Sequence, residues 1–196
     1  MTIYWRCGCG KVQLELSAEP WSVGNCHCHS CVASSRFLDE KYKDQENYAS
    51  SIADGGSAGA FFMPNDVKIL TEELPPLGCL KVGKDGKAVR KYCKCCGTQF
   101  GVVMPQMWAL NQNLLYSKKE GSEKYVPKMP VNNVMKKFAF SPEEVPEPAF
   151  SIAPIRLIIS FVSVIINPFG ARTEKDVMEK LEVDTSLVEE VPITWE

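Results

Sequence analysis

Histidine is almost absent from this chain: among 196 residues only His27 and His29 occur. That scarcity argues against a hydrolytic centre built on several imidazoles. An excess of either charge is missing as well. Lys and Arg total 22 against 24 Asp and Glu, a formal net charge of -2. A general nucleic-acid binder needs clustered cations to meet phosphates, so no nucleic-acid partner is expected. Long apolar runs are lacking too. Residues Met1 to Cys7 contain no hydrophobic core of signal-peptide length. The most apolar stretch, Ile155 to Phe169, has Arg156 as its only charge and is closed by Asn167-Pro168. Even wholly helical, its central part from Leu157 to Ile166 would span only about 15 Å, half a bilayer core. No transmembrane segment is expected.

Cysteine, by contrast, is plentiful. Nine are present, an odd number. A secreted disulfide framework normally has an even count. Thiols one residue apart are also poorly placed to bridge each other. Eight of them fall into three tight groups: Cys7-Gly8-Cys9-Gly10, Cys26-His27-Cys28-His29-Ser30-Cys31, and Cys93-Lys94-Cys95-Cys96-Gly97, where Cys95 is the supernumerary member. This grouping suits metal binding in a reducing compartment, and a cytoplasmic location is expected. Isolated Cys79 is read as a small buried hydrophobe.

Cys7 and Cys9 with Cys93 and Cys96 supply four sulfurs from two distant knuckles. Zinc held by four thiolates would staple the first hairpin to later strands and contribute to folding without doing chemistry. Cys93-x-x-Cys96-Gly97 is the usual knuckle spacing, which makes Cys95 the bystander, although either Cys93 or Cys95 can be the ligand. The middle group offers Cys26, Cys28 and Cys31 with no evident fourth partner. His27 and His29 each adjoin a ligand cysteine, and in so short a loop their rings are expected to point away from the same ion. Three protein ligands and one vacant position is the arrangement of catalytic zinc. Three thiolates leave the site net negative and blunt the acidification of water. Such a centre suits a soft ligand, a substrate thiol bound as thiolate, which can add to an aldehyde carbonyl.

Alternation predicts strands at Ile3 to Arg6 and Val12 to Leu16, and further strands at 60–63, 67–70, 79–82, 88–93 and 99–103. Gly83 to Lys87 reads as a hairpin turn. The charged segment Arg36 to Tyr48 and the glycines Gly55, Gly56 and Gly59 are read as surface loop with at most one helical turn. No strong helical periodicity is seen before residue 150. From Tyr125 onward, Pro127, Pro130, Pro142, Pro146, Pro148 and Pro154 mark an extended connection. The expected organisation is a mainly β, zinc-binding domain over 1–126. A proline-rich, partly helical extension over 127–196 follows, with the hydrophobic segment 155–169 and an acidic tail. That segment is expected to pack on the domain or on a second copy of the chain.

The ordered motifs Cys7–Gly10, Cys26–Cys31 and Cys93–Thr98 resemble those of the glutathione-dependent formaldehyde-activating enzyme family, which also includes centromere protein V. The resemblance covers roughly residues 1–116. It implies an Mss-four-like β fold and two zinc ions. Cys7, Cys9, Cys93 and Cys96 would hold the structural ion, and Cys26, Cys28 and Cys31 the catalytic one. It further implies carbon–sulfur lyase chemistry joining glutathione and formaldehyde into S-hydroxymethylglutathione. Val32 to Arg36 departs from the Arg-rich, Gly-containing stretch usual after the triplet, and the segment before the last knuckle is longer. Arg36, Lys41, Arg90 and Lys91 are candidates for binding glutathione carboxylates. The alternatives are a non-catalytic zinc interaction module of the centromere protein V type and, more weakly, a thiol redox sensor.

Overall fold

Leu14 and Leu16 alternate with Gln13 and Glu15, and a period of two puts every second side chain on one face of an extended chain. A computed structural model describes residues 2–86, 88–104, 106–153 and 188–192, with isolated positions between 155 and 181. In it that alternation becomes a hairpin of β1 (Ile3–Arg6) and β2 (Gln13–Leu16). β3 (Ser22–Cys26) leads into α1 (His29–Tyr42). There follow β4 (Ile52–Ala53), β5 (Gly56–Phe62), β6 (Val67–Ile69), β7 (Leu77–Val82), β8 (Arg90–Cys93) and β9 (Gln99–Met104). The last are β10 (Met107–Leu110), β11 (Leu115–Tyr116), β12 (Asn132–Val134) and β13 (Glu189–Val191). The protein is mainly β, as expected.

Two sheets result. A four-stranded sheet runs β11-β1-β2-β6, and a nine-stranded sheet runs β12-β3-β5-β10-β9-β8-β7-β13 with β4 added on β5. Pairing is antiparallel except at the two edges of the larger sheet, where β12 lies parallel to β3 and β13 parallel to β7. The inner faces share one core. Ile3, Trp5, Leu14 and Leu16 meet Phe62, Phe100, Trp108 and Leu110, all buried. Trp5 shows the dual demand of such a ring. It lies 5.0 Å from Phe100, and its indole Nε1 donates to the Asn111 carbonyl at 3.1 Å. Among the described residues no helix is long and apolar enough to cross a membrane.

The outer face of the large sheet carries α1. Ala33, Leu38 and Tyr42 pack there against Leu80, Val82, Tyr92 and Val191. This corrects the reading of residues 36–48 as surface loop: 14 residues from His29 to Tyr42 are helical. The buried face escaped notice because it contains Ser34 and Ser35 as well as Val32, Ala33 and Leu38. Those hydroxyls are satisfied locally. Ser34 Oγ donates to the Cys31 carbonyl at 2.8 Å, and Ser35 Oγ to Ser57 Oγ at 3.1 Å. A buried face made partly of serine has no apolar period for the sequence to reveal. The glycine run is corrected likewise. Gly56 opens β5, and Gly59 pairs with Gly24 of β3 within the sheet.

The hydrophobic segment expected at 155–169 and the acidic tail fall largely outside the described residues. Leu181, however, is buried in the inter-sheet core, and Val191 is buried beneath α1. Removing the Leu38 side chain should cost about 2–5 kcal/mol, the usual range for a buried leucine. Chemical denaturation of Leu38→Ala measures it; a loss below about 1 kcal/mol would mean that α1 is not seated as described.

Candidate metal centre and adjoining cavity

β3 delivers Cys26 at its last residue, and α1 begins three residues later. Between them Cys28 caps the helix with extended backbone, φ -64° and ψ 147°. The chain then turns at once, and the Cys31 N–H donates to the Cys28 carbonyl at 3.0 Å. The result is that Cys26, Cys28 and Cys31 bring their sulfurs within 4.8 Å of one another. Cys26 Sγ lies 3.5 Å from Cys28 Sγ. Two thiolates on one tetrahedral zinc, with Zn–S about 2.3 Å, stand about 3.8 Å apart, so the set fits such an ion.

Charge is arranged to favour one anionic sulfur. Hydrogen bonds from Cys26 and Cys28 hold Cys31 well below the ordinary thiol range, against the penalty of burial, with the Arg90 guanidinium adding its charge. Cys26 is pushed up correspondingly by its contacts with Cys28 and Cys31 and by burial. Arg90 is itself buried in β8; its Nη2 donates to Ser30 Oγ at 2.7 Å and lies 3.8 Å from Cys31 Sγ. Cys31 also sits in the first turn of α1, where the helix dipole favours a negative charge.

The second cluster joins the two knuckles. The turn after β1 carries Cys7 and Cys9, and the turn after β8 carries Cys93, Cys95 and Cys96. Thr98 ties them together: its Oγ1 accepts from the Gly8 N–H at 3.0 Å and lies 3.2 Å from Cys96 Sγ. Gly97 closes the second knuckle at φ +66°, where any Cβ would stand 2.3 Å from the Tyr42 ring. Cys7, Cys9 and Cys96 lie within 4.8 Å of one another. Cys93 touches Cys7 and Cys96, and those contacts together with burial push it upward. Cys95, expected to stand aside, has its Sγ 3.0 Å from that of Cys9. Five thiols converge where four were expected. Contact with Cys93 lowers Cys7, but contact with Cys96 and burial outweigh it, and Cys7 is pushed up to about 12. Cys96, receiving hydrogen bonds from Cys7 and Cys93, is lowered despite burial. Each cluster thus has one sulfur favoured as thiolate.

The remaining candidates disperse. His27 is buried, with Nε2 3.3 Å from Asn133 Oδ1, and His29 stacks on Phe140 at 4.4 Å. Neither belongs to a metal-holding group among the described residues. Arg36 lies over Phe140, Lys41 pairs with Glu189 at 2.5 Å, and Lys91 donates to the Leu181 carbonyl. Of the four predicted cations only Arg90 reaches the triplet. Cys79 is buried in β7.

A cavity of about 200 Å³ opens against Cys26, Cys31 and Arg90 on the outer face of the large sheet. Phe61, Val102, Met107 and Leu110 line it, with Ser57 and Gln99 near the helix. Sequence reasoning missed it, since its walls come from β5, β8, β9 and β10 and no local pattern marks them. Ser57, Ser35, Ser51 and Gln99 form a hydrogen-bonded group at its edge: Ser51 Oγ donates to Ser35 Oγ at 2.8 Å and lies 3.3 Å from Gln99 Oε1.

These features define a mainly β protein with two thiol clusters able to hold metal, one of them bordering a cavity. Residues 2–40 match the model of the family described as glutathione-dependent formaldehyde-activating enzyme. That stretch contains the first two cysteine motifs and most of α1; the chain is similar to the family there. A comparison with curated proteins gives no match.

Elemental analysis of the purified full chain tests the fourth ligand of the distal cluster. Cys93 touches two of the three central sulfurs and is wholly buried, so Cys95→Ser should keep two zinc equivalents and Cys93→Ser should keep one. The reverse pattern would assign the position to Cys95.

Proposed function

We propose that this chain is a zinc-dependent carbon–sulfur lyase that forms or cleaves a thiol–aldehyde adduct of the S-hydroxymethylglutathione kind. The observation that carries the reading is the Cys26, Cys28 and Cys31 triplet, which gathers no fourth His, Cys or carboxylate among the described residues and adjoins a cavity large enough for an organic group. The family match over the same loop supports it. In this reading Cys26, Cys28 and Cys31 hold the catalytic ion, and Cys7, Cys9, Cys93 and Cys96 hold a structural one. Zinc bound at the triplet would supply Lewis acidity that makes a substrate thiol available as thiolate near neutral pH.

The chain's own groups do the rest. Arg90 adds its charge to the contacts with Cys26 and Cys28 that favour a thiolate at Cys31, and its Nη2 is held by Ser30. The sheet-borne cavity, mostly apolar, holds the thiol's substituent. In the adduct-forming direction a sulfur–carbon bond forms, the carbonyl π bond breaks, and the thiol proton ends on the carbonyl oxygen. No oxidant or reductant is needed. A reducing, cytoplasmic setting suits nine free thiols.

Thiol-dependent formaldehyde consumption, with the spontaneous rate subtracted, tests this. Cys28→Ser should lose one of two zinc equivalents and fall to the spontaneous rate while its circular dichroism stays native. Unchanged turnover in that variant would reject a catalytic role for the triplet.

A further inference from the structure

We propose that the thiol taken by this site carries an apolar organic substituent, aromatic or short aliphatic, in place of the doubly carboxylated peptide of glutathione. The inference deepens the preceding reading and rests on it. A sulfur bound at the triplet has its substituent beside Cys26 and Cys31, and the space there is the cavity. Its floor is made by removing side chains. Gly59 and Gly101 face it together with Ala109, while Phe61 and Met107 on the same strands wall it in. At about 200 Å³ it exceeds the roughly 150 Å³ that accepts a benzene ring in an engineered apolar cavity.

The cavity is ill-equipped for carboxylates. Among the described residues Arg90 is its one cationic lining group. That guanidinium is engaged already: Nη1 donates to the Ala88 carbonyl at 3.3 Å, and Nη2 serves Ser30 and Cys31. Ser57 and Gln99 are likewise engaged with Ser35 and Ser51. Glutathione would bring two carboxylates and an ammonium against a wall with a single cation, already turned to Ser30 and Cys31, and burying an unpaired charge is costly. Of the other candidate cations, Lys41 pairs with Glu189, Lys91 donates to the Leu181 carbonyl and Arg36 lies over Phe140, and none of them lines the cavity. Formaldehyde, with one carbon, leaves the space to the thiol.

Full-length protein loaded with Co²⁺ in place of zinc gives a visible spectrum that responds when an added thiol enters the cobalt shell. Benzyl mercaptan should bind about tenfold to a hundredfold more tightly than 2-mercaptoethanol, from burial of its ring. Glutathione should bind no better than 2-mercaptoethanol. A Cβ at Gly59 comes no nearer than 3.7 Å to the Phe61 ring and 3.9 Å to the Gly24 carbonyl, both ordinary contacts, and the γ-methyls of Gly59→Val would intrude on the cavity. It should weaken benzyl mercaptan at least about tenfold more than it weakens 2-mercaptoethanol. Glutathione binding as tightly as benzyl mercaptan, or an unchanged preference in Gly59→Val, overturns the inference while leaving the adduct-forming reading intact. If no thiol perturbs the spectrum, the underlying reading fails instead. Should Gly59→Val not fold, Gly59→Ala and the wild-type ranking of the three thiols decide the matter.

Discussion

The seat of α1 on the outer face of the large sheet is the contact on which the rest of the molecule depends. Leu38, Ala33 and Tyr42 anchor it against Leu80, Tyr92 and Val191. The helix start then falls directly after β3, and the three-sulfur loop is caught between a strand end and a helix cap. Neither element alone would orient the sulfurs. An extended Cys26 and a helical Cys31 face a common point only because the intervening turn is fixed at both ends, by the His27 N–H donating to the Val134 carbonyl and the Cys31 N–H donating to that of Cys28.

The two thiol clusters share a donor type and differ in everything around it. The distal one is walled by the inter-sheet core, where Cys7, Cys93 and Cys96 are buried among Trp5, Phe100 and Leu14. A metal there is cross-link more than reagent, since its binding free energy adds to that of folding. The triplet is half-exposed and borders empty space. Arg90 stands beside Cys31, whereas Cys96 in the core cluster is favoured as thiolate by its neighbouring thiols. The position of Arg90 in β8, close in sequence to the Cys93 knuckle, means that one short segment serves both centres.

Specificity in such a pocket comes from subtraction. Glycine at 59 and 101 and alanine at 109 keep the sheet bare where larger residues would fill it. The polar groups nearby are spent on one another, through the Ser35, Ser51, Ser57 and Gln99 hydrogen bonds, so the cavity presents mostly carbon. Polar residues in the lining therefore do not make a polar site; what matters is whether their donors and acceptors are already used.

Much of this was legible in the chain alone. The period of two in β1 and β2, the hairpin of β7 and β8, and the grouping of cysteines all follow from spacing, because strand alternation and ligand proximity are local properties. The imidazoles' withdrawal from the metal groups was readable too, from the shortness of the loop. α1 was not, because its buried face includes Ser34 and Ser35, and Ser35 finds its partners only in Ser51, Ser57 and Gln99, which are distant in sequence. The closeness of Cys95 to Cys9 was not legible either, since residue spacing counts positions along one knuckle, whereas that distance depends on how two knuckles meet. Sequence by itself thus determined that two groups of thiols could hold metal and that the scaffold would be β. Tertiary structure alone decided which cation stands beside the sulfurs and what space they overlook, because cavities and buried charges are made by segments tens of residues apart, and no local pattern encodes their meeting.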